Sequence, residues 1–136
     1  MPKLRVEKVL GPAKREIAKG LGAHNIAAVG KANRRAFAVT IRDKGKVIGG
    51  VVAETFFGWM FVNMLWVSEH HRGKGFGRSL MEAVEAEARK RGVRNVYLDS
   101  FGFQAPKFYI KLGYREFGRL DDFPSGNSRH WMTKAL

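Results

Sequence analysis

Hydrophobic and polar positions alternate in short runs along most of this chain, with one longer run of different period. Residues 3–10 alternate, with Leu4, Val6 and Leu10 on one side and charges between them, and read as a first strand. Gly11-Pro12 breaks that run, and Pro12 suits the first turn of a helix. Ile17, Leu21, Ile26, Ala27 and Val29, set around Gly20 and Gly22, predict one or two short helices over 13–30. Residues 36–42 read as a strand, Asp43-Lys44-Gly45-Lys46 as a hairpin turn, and 47–57 as the next strand. Within that strand Gly49 and Gly50 mark a bulge or a close approach. Residues 59–67 are apolar on both faces except at Asn63, which places that strand centrally in a sheet.

The longer run covers 75–91. Phe76, Leu80, Val84 and Ala88 recur every fourth residue, the period of a helix with one buried stripe. Glu85 with Arg89, and Glu87 with Arg91, are spaced to pair along it, and Gly92 suits a left-handed cap. Residues 95–101 read as a strand, 104–112 as a short helix ending at Gly113, and 114–120 and 129–135 as two last strands. Three strands joined by tight turns therefore precede one strand–helix–strand crossover. That order predicts a single α/β domain over 1–136, a three-layer sandwich with a central mixed sheet of about seven strands and helices on both faces.

Composition narrows the function. A chain of 136 residues with 45% hydrophobic content is long enough for one real core. No stretch approaches the roughly 20 apolar residues of a membrane helix, and the start, Met-Pro-Lys-Leu-Arg-Val, lacks a secretory apolar region. Without cysteine there is no disulfide, thiolate metal site or cysteine nucleophile. His70 and His71 are adjacent and lack a third ligand, so no metal site is expected, and both read as solvated loop residues. These features read as a cytoplasmic protein without a membrane partner. The net charge of +13 adds attraction to anions: a polyphosphate cofactor, nucleic acid or an acidic partner. A single cofactor does not account for that charge, so nucleic acid stays open, and a homodimer is also left open.

The candidate chemistry sits behind residue 67. Arg72-Gly73-Lys74-Gly75-Phe76-Gly77-Arg78 links a strand to a helix. Alternate glycines let backbone N–H groups approach a ligand, and the helix N-terminus and basic side chains add positive charge. This is the layout of a phosphate or pyrophosphate cradle. It is neither a Walker A loop nor a dinucleotide fingerprint, whose third glycine would fall at Arg78.

The run resembles the Arg/Gln-x-x-Gly-x-Gly/Ala motif of the GNAT acetyltransferase superfamily. A second stretch, Phe103 to Tyr114, resembles the family's later segment, with a Tyr just before Lys-x-Gly-Tyr. The resemblance covers 37–135 and implies the following. Acetyl-CoA is the cosubstrate, its pyrophosphate held by Arg72, Gly73, Lys74, Gly75, Phe76, Gly77 and Arg78. Strands 59–67 and 95–101 diverge around the pantetheine arm, whose amides pair with the backbone of Leu65, Trp66 and Val67. Gln104 contacts the same arm. Tyr109 is the general acid beside the sulfur. The acetyl group passes directly to a primary amine, of a small molecule or a protein.

The residues leave other parts open. Glu54, a carboxylate in an apolar strand, is a candidate base, directly or through water, or else a strand-edge ion pair. Asp121 and Asp122 could draw a cationic substrate or simply form a solvated turn. Phe101 and Phe103 read as lining for a cleft or core. The rival readings are a basic RNA- or ribosome-binding module and a CoA sensor without turnover.

Overall fold

A computed structural model describes residues 1–136, in two compact units, Met1–Ala32 and Asn33–Leu136. In the first unit, residues 1–7 carry no regular structure and a single helix, α1 (Leu10–Val29), follows. The strand expected over 3–10 does not form, because these residues join no ladder of the sheet. Alternation alone does not make a strand when its N–H and C=O groups find no partner strand. One helix replaces the one or two expected, running through Gly20 and Gly22. Pro12 lies in its first turn, and Gly30, at φ 82°, ends it by donating its N–H to the Ile26 carbonyl.

The second unit is an α/β fold on a mixed sheet of six strands, one fewer than the seven expected. The strands are β1 (Arg35–Asp43), β2 (Lys46–Phe56), β3 (Trp59–Val67), β4 (Asn95–Phe101), β5 (Arg115–Asp121) and β6 (Ser128–Ala135), in the spatial order β1-β2-β3-β4-β6-β5. Only β3 and β4 run parallel, joined by the crossover helix α2 (Phe76–Lys90). A short helix, α3 (Pro106–Lys111), connects β4 to β5. Central β3 is the strand that the sequence marks as apolar on both faces.

The core lies between α2 and the sheet. Leu80, Met81, Val84 and Ala88 of the helix meet Val51, Ala53, Met60, Val62, Val96, Leu98 and Met132 of the strands. Gly49 and Gly50 serve close approach: a Cβ at Gly49 would stand 3.3 Å from the Trp66 carbonyl, and one at Gly50 3.3 Å from that of Val39. The register opposite them also slips, between Ile41 and Arg42.

Of the two helical ion pairs, Glu87–Arg91 forms, at 3.2 Å. Glu85 does not pair with Arg89. It falls on the buried stripe, 4% exposed, where it accepts from Tyr114 Oη at 2.9 Å and Lys134 Nζ at 2.8 Å. A buried carboxylate needs partners that are themselves out of water, and these supply both bonds. This contact ties α2 to β6 and to the residue just before β5.

Glu85→Ala should therefore cost about 3 kcal/mol, since it strips a part-buried ammonium of its partner. Glu87→Ala, at a half-exposed pair, should cost under about 1 kcal/mol. Urea denaturation of the two variants checks the contrast, and equal midpoints would show that the buried contact contributes no more than the surface one.

Candidate active site

The site begins with a defect in the sheet. Against β2, the register of β3 slips so that Met64 faces Val52 while Val62 faces Ala53, leaving Asn63 as an extra residue. Such a bulge bends and twists its strand. The parallel pairing of β3 with β4 runs from Trp59↔Asn95 to Val62↔Leu98 and ends there. Beyond that point the two strands part, and the backbone of β3 past the bulge lacks a partner on the β4 side.

A cleft of about 790 Å³ fills the gap. One wall is β3, including Leu65, Trp66 and Val67, and the other is β4 from Leu98 to Phe101. The glycine turn closes one part of it, with Arg72, Gly73, Gly75, Phe76, Gly77 and Arg78 at the lining, while exposed Lys74 stays outside. Gln104, Phe108 and Tyr109 line it from the β4–α3 segment.

The glycines of the turn act differently. Gly73 and Gly75 hold φ of 74° and 82°, a left-handed backbone that side chains resist. Gly77 is helical, and a Cβ there would come within 3.2 Å of the Phe108 ring. The start of α2 has no side-chain cap and no acidic residue in its first turn. Its first N–H groups thus have no acceptor within the helix and no competing negative charge. Arg72 braces the turn by donating from Nε to the Val67 carbonyl at 2.9 Å. Arg78 makes an exposed pair with Glu82 at 3.0 Å. Together these groups can hold a phosphate or pyrophosphate.

Tyr109 differs from its neighbour Tyr114. Its ring is buried, with edge contacts to Phe108 and Tyr114. No buried side-chain polar atom lacks a partner, and the Tyr109 hydroxyl, which takes none from the protein, opens on the cleft. Burial first, then the Asp99 charge, pushes its pKa up to about 12. Tyr114, given to Glu85, is pushed up further by burial and by that carboxylate. Tyr97, stacked on Phe61 at 4.9 Å, is raised chiefly by burial.

Three expected residues lie elsewhere. Glu54 is in β2, outside the cleft lining, paired with Arg34 at 2.9 Å. Asp121 ends β5 and pairs with Arg119 at 2.7 Å. Asp122 accepts from the Gly126 N–H at 3.1 Å within its loop. Gln104 faces the cleft, but its carbonyl oxygen already accepts from Phe101 N–H at 2.8 Å, leaving its NH₂ group for a ligand.

Two lining residues escape the sequence reading. Asp99 is the carboxylate of the cleft wall, held by Arg129 Nε at 2.7 Å. That bond also raises the Arg129 pKa. Strand alternation puts Asp99 on one face with Tyr97 and Phe101, a signal that could have singled it out. His71 is not a solvated loop residue: it lines the cleft, with Nδ1 2.5 Å from Ser68 Oγ.

The glycine turn and the Tyr109 phenol thus share one cleft. Comparison with known proteins gives its family. The model of the acetyltransferase (GNAT) family matches residues 20–114, more than half of the chain. Acetyltransferase Atu2258 of Agrobacterium fabrum is 37% identical over 125 residues, 91% of each chain. Blasticidin-S acetyltransferase of Streptomyces morookaense is 36% identical over 95 residues, 69% of this chain and 70% of that one. A crystal structure of an acetyltransferase from Bacillus cereus superposes with a TM-score of 0.91 at 33% identity, over 98% of both chains. The protein belongs to the GNAT family and is an acetyltransferase. No helix is long and apolar enough to cross a membrane.

The sign of the tyrosine shifts is testable. A phenol whose folded pKa exceeds its unfolded value contributes stability below pH about 10 and loses it as pH rises through the folded pKa. All three tyrosines are raised. Phenolate absorbance near 295 nm should therefore appear only above pH about 10, together with loss of stability. A phenolate signal complete below that pH in the folded protein would contradict the burial argument.

Proposed function

We propose that the chain is an N-acetyltransferase that moves the acetyl group of acetyl-CoA directly to a primary amine, and that residues 1–136 work as one such domain. The observation that carries this reading is that the glycine turn and the partner-free Tyr109 hydroxyl share a single cleft between parted strands. Acetyl-CoA is the acetyl donor. The glycine turn, with Arg72 and Arg78, takes its pyrophosphate, and Lys74 adds charge from outside the lining. Its pantetheine amides pair with the backbone of Leu65 to Val67, as an added strand would. The NH₂ group of Gln104 is a further donor for that arm.

The neutral amine attacks the thioester carbonyl carbon; a C–N bond forms and the C–S bond breaks. Tyr109 gives its proton to the departing sulfur and regains one from solvent. Its raised pKa keeps it protonated at neutral pH, as an acid must be. The amine's own proton passes to water, with Glu54 at most the distant end of that relay. Asp121 and Asp122 immediately precede Phe123, which packs on Phe101 of the cleft wall, so their charge favours a cationic acceptor at that edge.

Tyr109→Phe should lower kcat about 100-fold while leaving the KM for acetyl-CoA nearly unchanged, measured by release of free thiol. Unchanged turnover would remove the acid role. Arg72→Ala combined with Arg78→Ala should raise the KM for acetyl-CoA at least tenfold and flatten its dependence on salt. Calorimetry with the coenzyme at low and high ionic strength checks this, and identical salt slopes would place the phosphates elsewhere.

A further inference from the structure

We infer that the acceptor is an amine carried on a flat aromatic or heteroaromatic group, and that Phe101 and Phe103 form the platform on which it stacks. The inference rests on the N-acetyltransferase reading and names the substrate class of that same cleft. The two rings are nearly parallel, 10° apart with centroids 5.3 Å apart, and both line the cleft. Phe103 is 61% exposed, a large apolar ring with little covering it.

An exposed ring is ordinary on a mobile loop, but the turn that carries this one is tied down by hydrogen bonds. Gly102 between the rings donates its N–H to the Ser128 carbonyl at 2.7 Å. A Cβ there would lie 2.9 Å from Ser128 Oγ, so the turn sits directly on β6. Ser128 Oγ is itself held by His130 Nε2 at 2.7 Å, and the other ring nitrogen of His130 meets Glu116. Gln104 closes the turn, donating its backbone N–H to the Phe101 carbonyl at 2.9 Å and accepting from Phe101 N–H through its side chain. Behind Phe101 stand Phe123, at 5.6 Å, and the Arg129 guanidinium, at 5.2 Å and fixed by Asp99.

Bonds within the turn and contacts from β6 and Phe123 thus order Phe101 and the turn behind Phe103 before any ligand arrives. Preorganisation of this kind removes the ordering cost of binding. It gives an aromatic ligand a face-on contact without rearrangement, which a saturated group cannot match. The platform itself is two uncharged rings, and the Arg129 behind it is paired with Asp99. It therefore selects a planar π-system, and not a phosphate or a polycation. The segment continues into α3 and Tyr109, so a ring held on it brings an attached amine to the phenol end of the cleft.

The test uses the full chain with acetyl-CoA and two amines of equal reach, 2-phenylethylamine and 2-cyclohexylethylamine. Wild-type kcat/KM should favour the phenyl compound by about tenfold, a stacking-sized preference. That ratio should fall close to one in Phe103→Leu, persist in Phe103→Trp, and fall in Gly102→Ala, which displaces the turn without touching a ring. Coenzyme binding is measured separately by calorimetry. A wild-type ratio near one, or a ratio that Phe103→Leu leaves intact, overturns the platform while N-acetyl transfer stands. Tight coenzyme binding with no amine acetylated overturns the transfer reading, and the platform with it.

Discussion

The site depends on where β3 stops pairing with β4. Neighbouring parallel strands normally share a continuous ladder, and a gap in the middle of a sheet leaves polar backbone without partners. Here one extra residue, Asn63, bends β3 at the place where the ladder ends, after Val62 and Leu98. The cost of the gap is limited because it opens to the surface as a cleft, where water or an extended ligand meets the freed groups. The other register slips, at Ile41/Arg42 and Glu116/Gly118, fall on other strand pairs, and α2 packs over the paired half with its buried stripe.

The cleft is electrically polar along its lining. The glycine turn contributes two arginines and the uncapped start of α2, all positive. The β4 and α3 side contributes a neutral phenol, a carboxylate already paired with an arginine, and aromatic rings. Such a division suits a substrate that is anionic at one end and uncharged at its reacting end. The net charge of +13 extends the attraction beyond contact distance.

The parts of the molecule that were legible from the sequence are local. The glycine turn, the stripe of α2, the central place of β3 and the cap at Gly92 each rest on residues a few positions apart. Tyr109 was reached through a resemblance carried by its neighbours. What escaped was set by distant partners. Glu85 has a nearby Arg89, but burial on the stripe delivers it to Tyr114 and Lys134. Asp99 looks like any strand carboxylate until β6 brings Arg129 beside it. The alternation of residues 3–10 was a true pattern without a partner strand, so it made no strand. Period gives a residue its face; only the assembled sheet gives it a neighbour.

The close approach of Gly77 to the Phe108 ring joins the glycine turn to the helix that carries Tyr109. The first turn of α2 and the residue next to Tyr109 are in touch, with room for a hydrogen and no more. The Glu85 contact fastens α2 again, close to where α3 gives way to β5. The glycine turn and the segment bearing Tyr109 are therefore held at a fixed separation. On the proposed roles of the turn and the phenol, a donor molecule fits only if the length of its arm matches that span, so discrimination among thioesters falls on reach before it falls on the acyl group.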